Sequence, residues 1–361
     1  MKILHVDTEK GWRGGEQQLL YLVKGLREKG ITSAVACRTG DELFKKCKKE
    51  GIETVPLKGN QTSDILRLGY IGRKFDIIHA HSAKGHTISA LSKKLHRKPV
   101  VYTRRVDYRP RKNRLTYLKY KNTDKIVSIT EAVRRIVLES FPFLTNRTEV
   151  IYSSVDVRDI ERKVKSEIVE NIKKELNGNP TVGTLAALTE QKDIPNLIEA
   201  SKKVLEKLTN GKFFVFGEGK LRKKLQKIIN SKGISKSFIL YGFVDDIVNY
   251  TKALDVFVLP SKNEGLGSSL LVAMVLKVPV VSTNVGGTGE VVENEETGLL
   301  VPPNNPELLA DAIVRIVTDR ELSNHLVEKA YNLVTKKFSV DRMVNSYVEL
   351  YREVLSGKQL L

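Results

Sequence analysis

The sequence predicts an α/β protein built from two doubly wound parallel-sheet domains, on three observations. Its 361 residues suit two domains of ordinary size. Short apolar runs alternate with amphipathic stretches along most of the chain, the pattern of repeated strand–helix–strand units with both sheet faces covered. The alternation stops once near the middle of the chain and then restarts.

In the first series "KILHVDT" reads as a strand. "EQQLLYLVKGLREKG" reads as a helix with Leu19, Leu20, Val23 and Leu26 on one face. "TSAVAC" and "ETVPL" are strands on either side of a helix at "DELFKKCKKEG", and "FDIIHAH", "PVVYT" and "KIVSIT" are later strands. The pattern halts at "VIYSSVDVRDIERK", which suggests a hinge near residues 152–178, and restarts at "PTVGTLAAL". "KFFVFGEG", "FILYGFV", "DVFVLP" and "PVVSTN" continue the second series. These spans give an N-terminal domain over 1–155 and a second domain over 156–339. The helix of 340–361, with apolar Met343, Tyr347, Leu350, Tyr351 and Leu355, is expected to pack back on the first domain. Two such sheets facing across a cleft would bind ligands at the carboxyl ends of their strands.

Composition narrows the partners. The chain is 41% hydrophobic and carries a net charge of +19. Residues 1–155 hold 32 Lys and Arg against 15 Asp and Glu, so nearly all of the excess lies in one half and points to an anionic partner there. Cys37 and Cys47 are too few for a disulfide framework and have no zinc-type spacing, so both read as reduced thiols of a cytosolic protein. "MKILHVDT" reads as a strand rather than a leader, and no apolar run approaches the ~18 residues of a membrane span.

Several motifs fall at strand ends. In "EKGWRGGEQQ", Gly14 and Gly15 precede a helix and would admit an anion close to its free N–H groups, although this is not the GxGxxG dinucleotide pattern. Trp12 in the same loop would touch a ligand such as an acceptor or a lipid headgroup, or anchor the loop by packing. "HAHSAKGH" places His79 and His81 on one side of a strand, with His86 beyond. Lacking a further ligand at matched geometry, they read as structural or substrate-contacting histidines rather than a metal site. The segment from Tyr102 to Lys121 holds eight basic residues, among them Arg104, Arg105 and Arg109, interleaved with Tyr108, Tyr117 and Tyr120. That mixture suits phosphate groups, and without a known nucleic-acid module around it, nucleic acid is not expected. In the second half Lys192 precedes a helix, Gly217 and Gly219 end a strand, and Gly286, Gly287 and Gly289 precede another helix. Together they form a set of ligand loops.

With "LPSKNEGLGSSLLVAM" followed by "VPVVSTNVGGTGEVVENEETGLLVPPN", and with the amino-terminal "GGE", the chain resembles the retaining glycosyltransferases of family 4, glycosyl transferases group 1, over nearly its whole length. The resemblance implies the GT-B fold, two Rossmann-like domains, with a nucleotide-sugar donor on the C-terminal domain and the acceptor mainly on the N-terminal one. It implies no metal and no cofactor, the nucleotide-sugar being a substrate. Glu264 matches the first acid of the family's Glu-x7-Glu element and would hold the transferred sugar, with Gly265, Leu266, Gly267 and Ser268 around it. Lys192 matches the donor-phosphate lysine, Phe243 and Val244 the nucleobase pocket, and Gly14 and Gly15 the loop over the pyrophosphate. Gly217 joins the donor side, and Trp12, His81, Arg104, Arg105 and Arg109 fall on the acceptor side. Three positions depart from the family. Val272 stands at the second acid, which in relatives binds the ribose, Ala187 at a phosphate-binding arginine, and Arg105 at a histidine near the acceptor.

These readings lead to a hexosyltransferase-like enzyme acting on an envelope glycan or lipid-linked acceptor, cytoplasmic and peripheral on the inner face of an anionic membrane. A non-catalytic binding subunit with a decayed donor site is the alternative that Val272 and Ala187 support. A sugar-nucleotide epimerase is weaker.

Overall fold

The computed structural model describes residues 1–357. The chain divides into two compact units, one of Met1–Ser154 together with the chain from Val340 onward, the other of Val155–Ser339. No helix among the described residues is long and apolar enough to cross a membrane. The expected C-terminal helix runs Val340–Ser356, and residues 358–361 of that expectation lie outside the described residues.

The first unit holds seven strands: β1 (Lys2–Val6), β2 (Thr32–Arg38), β3 (Glu53–Leu57), β4 (Ile77–Ala80), β5 (Val100–Arg104), β6 (Lys125–Ser128) and β7 (Thr148–Val150). They pair in parallel in the order β3-β2-β1-β4-β5-β6-β7. One face is covered by the helices Gly14–Glu28 and Val340–Ser356, which bury Leu22, Leu26, Met343, Tyr347 and Tyr351 against Ile3, Ile77 and Val101. Each such side chain contributes about 1.5–3 kcal/mol by leaving water. Leu68 and Ile88, from the helices Gln61–Ile71 and Ala83–His96, cover the other face against Leu4, Val6 and Ile78.

The second unit holds β8 (Thr181–Leu185), β9 (Lys212–Phe216), β10 (Phe238–Gly242), β11 (Val256–Leu259), β12 (Val280–Thr283) and β13 (Leu299–Val301). Their order is β10-β9-β8-β11-β12-β13, again all parallel. The core lies between the sheet and helices such as Ile194–Lys207 and Pro306–Thr318.

The boundary between the two units, after Ser154, falls within the segment 152–178 where a hinge is expected. Most of that segment is two helices of the second unit, Val157–Lys163 and Ser166–Leu176. The first begins where the Asp156 carboxylate accepts the Asp159 N–H at 3.0 Å, and the second buries Val169, Ile172 and Leu176 along one face.

In each sheet the strand order reverses once, between β1 and β4 in the first unit and between β8 and β11 in the second. The loops leaving the two adjacent strands depart to opposite faces there. The sheet's carboxyl edge opens at that point, and a ligand can enter.

Candidate functional site

At the reversal point of the second sheet, the loops after β8 and β11 are tied to each other. The Lys262 N–H donates to the Gln191 carbonyl, the Gln191 amide donates to the Asn263 carbonyl at 2.8 Å, and Lys262 pairs with Asp193 at 3.2 Å. This clasp holds Lys192, in the turn Glu190–Lys192, against Glu264. One carboxylate oxygen of Glu264 accepts from both the Lys192 ammonium and the Ser261 hydroxyl, the latter at 2.8 Å. Glu264 is buried, while the Lys192 side chain is 22% exposed, so the pair can be reached from the lysine side.

Backbone contacts hold the glutamate from behind. A Cβ at Gly286, in the left-handed region at φ +54°, would lie 1.8 Å from the Glu264 carbonyl oxygen, and the Gly287 N–H donates to that oxygen at 3.2 Å. Gly217, at φ +145°, also comes close to a carbonyl, that of Ala186, where a Cβ would sit at 2.2 Å. These glycines therefore have a packing role: they let neighbouring loops press together and fix the site. Gly265, Leu266 and Gly267 follow Glu264 and lead into the helix Ser268–Val275. Phe243, 72% exposed, stands just past the edge strand β10 with Val244 buried beside it. Ala187 is exposed and Val272 half-buried on the helix after Glu264, and neither offers charge.

The carboxyl edge of the first sheet is made of side chains. Parallel register sets His5 of β1 beside His79 of β4, and His81 follows two residues later. His5 Nδ1 and His81 Nε2 share a hydrogen bond of 3.0 Å, and His79 meets the Tyr351 hydroxyl at 2.6 Å and the Thr103 hydroxyl at 2.8 Å. Tyr347 joins at Thr103, 2.8 Å away, and Arg105 donates to His81 Nδ1 at 3.4 Å. Burial pushes His5 down to about 3 and His79 and His81 well below the ordinary histidine range, so all three rings are neutral. His5 is thus the third histidine that the sequence reading did not find, and one ligand atom from each of the three lies within 4.8 Å of the others. All their ring nitrogens except His5 Nε2 are already engaged, which makes the cluster a packed polar network as it stands.

Beside this network Asp7 closes β1. Burial first, with the charges of Glu16 and Glu9 adding to it, raises its carboxyl to about 7 despite the nearby Arg105. Gly14 and Gly15 open the helix Gly14–Glu28 in this unit, with Gly15 near the Arg105 stem. Trp12 packs against the cluster of Leu19, Leu20 and Val23 and carries Lys46 over its ring at 4.0 Å, which is the anchoring role. Arg109 pairs with Glu139 on the surface at 3.0 Å. Arg104 is buried at the end of β5. Sequence reasoning missed His5, Asp7, Thr103 and the hydroxyls of Tyr347 and Tyr351. The signal available for the first two was "HVD" at the end of the first strand. The tyrosines, read as apolar helix positions, gave none.

Two doubly wound parallel-sheet domains in one chain are the architecture of the GT-B class. Comparison with known proteins agrees. The model of glycosyl transferases group 1 matches residues 166–333 and that of glycosyltransferase family 4 matches residues 12–159. An uncharacterized glycosyltransferase of Methanocaldococcus jannaschii is 27% identical over 303 residues, 79% of this chain and 77% of that protein. The UDP-Gal:alpha-D-GlcNAc-diphosphoundecaprenol alpha-1,3-galactosyltransferase of Escherichia coli is 27% identical over 300 residues, 79% of this chain and 77% of the relative. Among solved structures, HepE of Anabaena in complex with UDP superposes with a TM-score of 0.88 at 20% identity, over 98% of this chain and 100% of that one. The chain belongs to the family 4-type glycosyltransferases of GT-B fold and is a glycosyltransferase.

Proposed function

We propose that the protein is a retaining glycosyltransferase that moves a sugar from a nucleotide-sugar, held by the second unit, to a glycan or lipid-linked acceptor of the cell envelope. The observation that carries this reading is the meeting of Lys192 and Glu264 at the reversal point of the second sheet. As the glycosidic bond breaks, the leaving diphosphate gains negative charge, and a fixed ammonium beside it offsets that charge. Glu264 is an acceptor of hydrogen bonds and would orient hydroxyls of the sugar. When a donor arrives, the ion pair divides, lysine to phosphate and carboxylate to sugar, so each partner is already positioned before binding. Phe243 offers an exposed ring for the base to stack on. No metal or cofactor is proposed, and retention requires the acceptor hydroxyl to attack on the face the diphosphate leaves.

The envelope reading draws on the charge of the first half and on the lipid-linked acceptor named for the Escherichia coli relative. The helix Arg114–Lys121 exposes Leu115, Tyr117 and Leu118 close to Arg111 and Lys112, a surface suited to the inner leaflet of an anionic membrane. A donor-binding subunit without turnover is the second reading, favoured by the uncharged Ala187 and Val272. Incubation with a panel of UDP-, GDP- and ADP-sugars tests both. A thermal shift with nucleotide release supports the transferase, a shift without release supports the binding subunit, and no shift with any donor removes both.

A further inference from the structure

The two faces of the first sheet carry different helix layers. Alternation along β4 and β5 sends Ile78, Ala80, Val100 and Tyr102 to one side, where they meet Leu68, Ile88, Tyr120 and Val137. Those four come from the helices Gln61–Ile71, Ala83–His96, Arg114–Lys121 and Glu131–Ser140, which therefore form one layer. The helices Gly14–Glu28, Glu42–Lys49 and Val340–Ser356 form the other, against Ile77, Val101 and Val35. Charge divides unequally between them. Residues 61–76, 83–99, 114–124 and 131–147, the first layer with the turns that follow its helices, hold 14 Lys and Arg against 5 Asp and Glu. Residues 14–31, 42–52 and 340–356 of the second layer hold 9 against 7. Exposed apolar surface divides the same way. Tyr70, 70% exposed, and Leu66, 61% exposed, are the most exposed large apolar residues described in the first unit, and Leu95, Leu118 and Phe143 share their layer. The second layer exposes Leu355 among the described residues. The features of the first layer adjoin one another. Leu66 and Tyr70 are one helical turn apart and share a side of their helix. Leu95 lies over Gly69, where a Cβ would come 2.6 Å from its Cδ1, and the Arg73 Nε donates to the Leu95 carbonyl at 3.0 Å. Lys93 donates to the Asn122 carbonyl at 3.1 Å, and the rings of Tyr117 and Phe143 meet edge to face at 5.2 Å. The four helices thus present one basic face studded with apolar tips.

We propose that this whole layer, with Leu66 and Tyr70 as apolar anchors, is the surface on which the first unit lies flat against an anionic bilayer. The partner must be anionic and broad. Apolar tips spread over several helices and set among lysines and arginines match a field of headgroups, into which the tips sink while the cations stay with the phosphates. A partner helix would call for a single apolar groove instead. With this face down, the strands run along the bilayer, and one layer of helices, about 10–12 Å across, separates the sheet from the headgroups. The carboxyl edge of β1 and β4 then stays close to a lipid-linked acceptor. The choice of a bilayer as partner rests on the envelope reading above; the identity of the interacting face does not.

The test reads which side of the full chain touches lipid. Cys37 and Cys47 are both buried, so a cysteine introduced at an exposed position takes a polarity-sensitive fluorophore selectively. Three variants are labelled: Leu66→Cys on the proposed face, Leu118→Cys on the helix Arg114–Lys121, and Lys49→Cys on the opposite layer. Each is mixed with phosphatidylcholine vesicles with and without phosphatidylglycerol. Emission should shift to the blue at Leu66→Cys and Leu118→Cys when phosphatidylglycerol is present, and stay unchanged at Lys49→Cys. In sedimentation, Leu66→Ser and Tyr70→Ser combined should weaken vesicle binding about tenfold, because their apolar surface no longer leaves water. Circular dichroism confirms that the combined variant is folded, and Leu66→Cys keeps the test open if it is not. A shift at Leu118→Cys alone would overturn flat docking and leave the membrane contact of the helix Arg114–Lys121 standing. Equal shifts at all three positions would mean that no face is preferred, and would overturn it as well. No binding to either vesicle would remove the bilayer as partner, and a response of Leu66→Cys to poly(U) RNA in its place would assign the face to nucleic acid. A chain that docks through this face yet responds to no nucleotide-sugar would keep the face and lose the transferase.

Discussion

At the carboxyl edge of the second sheet, loops are fixed mainly by backbone: Gly286 against the Glu264 carbonyl, Gly217 against that of Ala186, and the clasp of Gln191 and Lys262. At the same edge of the first sheet the structure is fixed by side chains. His5, His79, His81, Thr103, Tyr347 and Tyr351 form one buried network, with Asp7 and Arg105 beside it. The two halves share a topology and differ in what holds the site. Backbone contacts leave little tolerance for a larger residue and keep a few charges in place. A side-chain network tolerates exchange one group at a time, and it stores unfavourable ionisation states that pH can release. The charge follows the same division, since the excess of basic residues lies in the first half.

The largest effect should come from breaking the backbone side of this comparison. Gly286→Ala places a methyl on the Glu264 carbonyl and forces an L-residue into the left-handed region. We expect a loss of roughly 4 kcal/mol in stability or, if the loop shifts instead, loss of donor binding. Thermal melts and donor titration on the same sample read both. A variant with normal melting and normal binding would show that the close approach does not hold the site.

Glu264→Gln is expected next. The amide is nearly isosteric, but the charge facing Lys192 is gone, so turnover should fall about 10²–10³-fold with the fold intact. Lys192→Ala should weaken binding of the nucleoside diphosphate more than that of the nucleoside. Equal losses for the two ligands would remove the lysine from the phosphate position, and near-normal turnover in folded Glu264→Gln would remove the glutamate from the chemistry.

On the side-chain half the expected effect is a pH dependence. The Asp7 carboxyl is at about 7 in the folded chain, against ~3.9 unfolded. Between those values the folded state binds more protons, so wild-type stability falls as pH rises from about 4 to 7 and then levels off. Asp7→Asn does not titrate and keeps an oxygen for the Glu9 N–H. It should therefore match wild type near pH 4 and exceed it at pH 8, by on the order of 3 kcal/mol. Chemical denaturation at the two pH values measures the difference. A variant less stable than wild type at pH 8 would mean that the carboxylate is stabilised there.

Much of the fold was legible in the sequence because buried parallel strands are continuous apolar runs, and eleven of the strands are such runs. The three-residue edge strands β7 and β13 are too short to show a period. "VRDIERK" hid a helix because its charges outnumber its two apolar residues. At the candidate site Glu264 and Lys192 were conspicuous as lone charges among glycines, but their contact spans 72 positions and no local pattern encodes it. The same holds for His79 with Tyr351, 272 positions apart, and for Gly286 with Glu264. The basic run from Arg104 to Lys121 announced a charge, but composition does not tell which cation is buried. Only packing separates Arg104 from its exposed neighbours.

The smallest effects per residue should come from the surface, and they sharpen the comparison of charge. If the first half meets an anionic bilayer, each of Arg111, Lys112 and Arg114 contributes about 1 kcal/mol near the headgroups. Those contributions fade as salt shortens the Debye length from about 10 Å at 0.1 M to about 3 Å at 1 M. The exposed Leu115 and Leu118 add a part that salt does not remove, because burial of apolar surface carries no charge. Sedimentation with vesicles containing phosphatidylglycerol should therefore retain the protein at low salt and release most of it at high salt. Replacing Arg111, Lys112 and Arg114 with serine should weaken binding about a hundredfold. Replacing Lys202, Lys223 and Lys227, exposed on the second unit, removes the same charge and should change little. If the two triple variants lose binding equally, net charge alone governs attachment and the first half has no membrane face. If only the first loses it, while serine at Leu115 and Leu118 lowers the salt-resistant fraction, the helix Arg114–Lys121 is the contact.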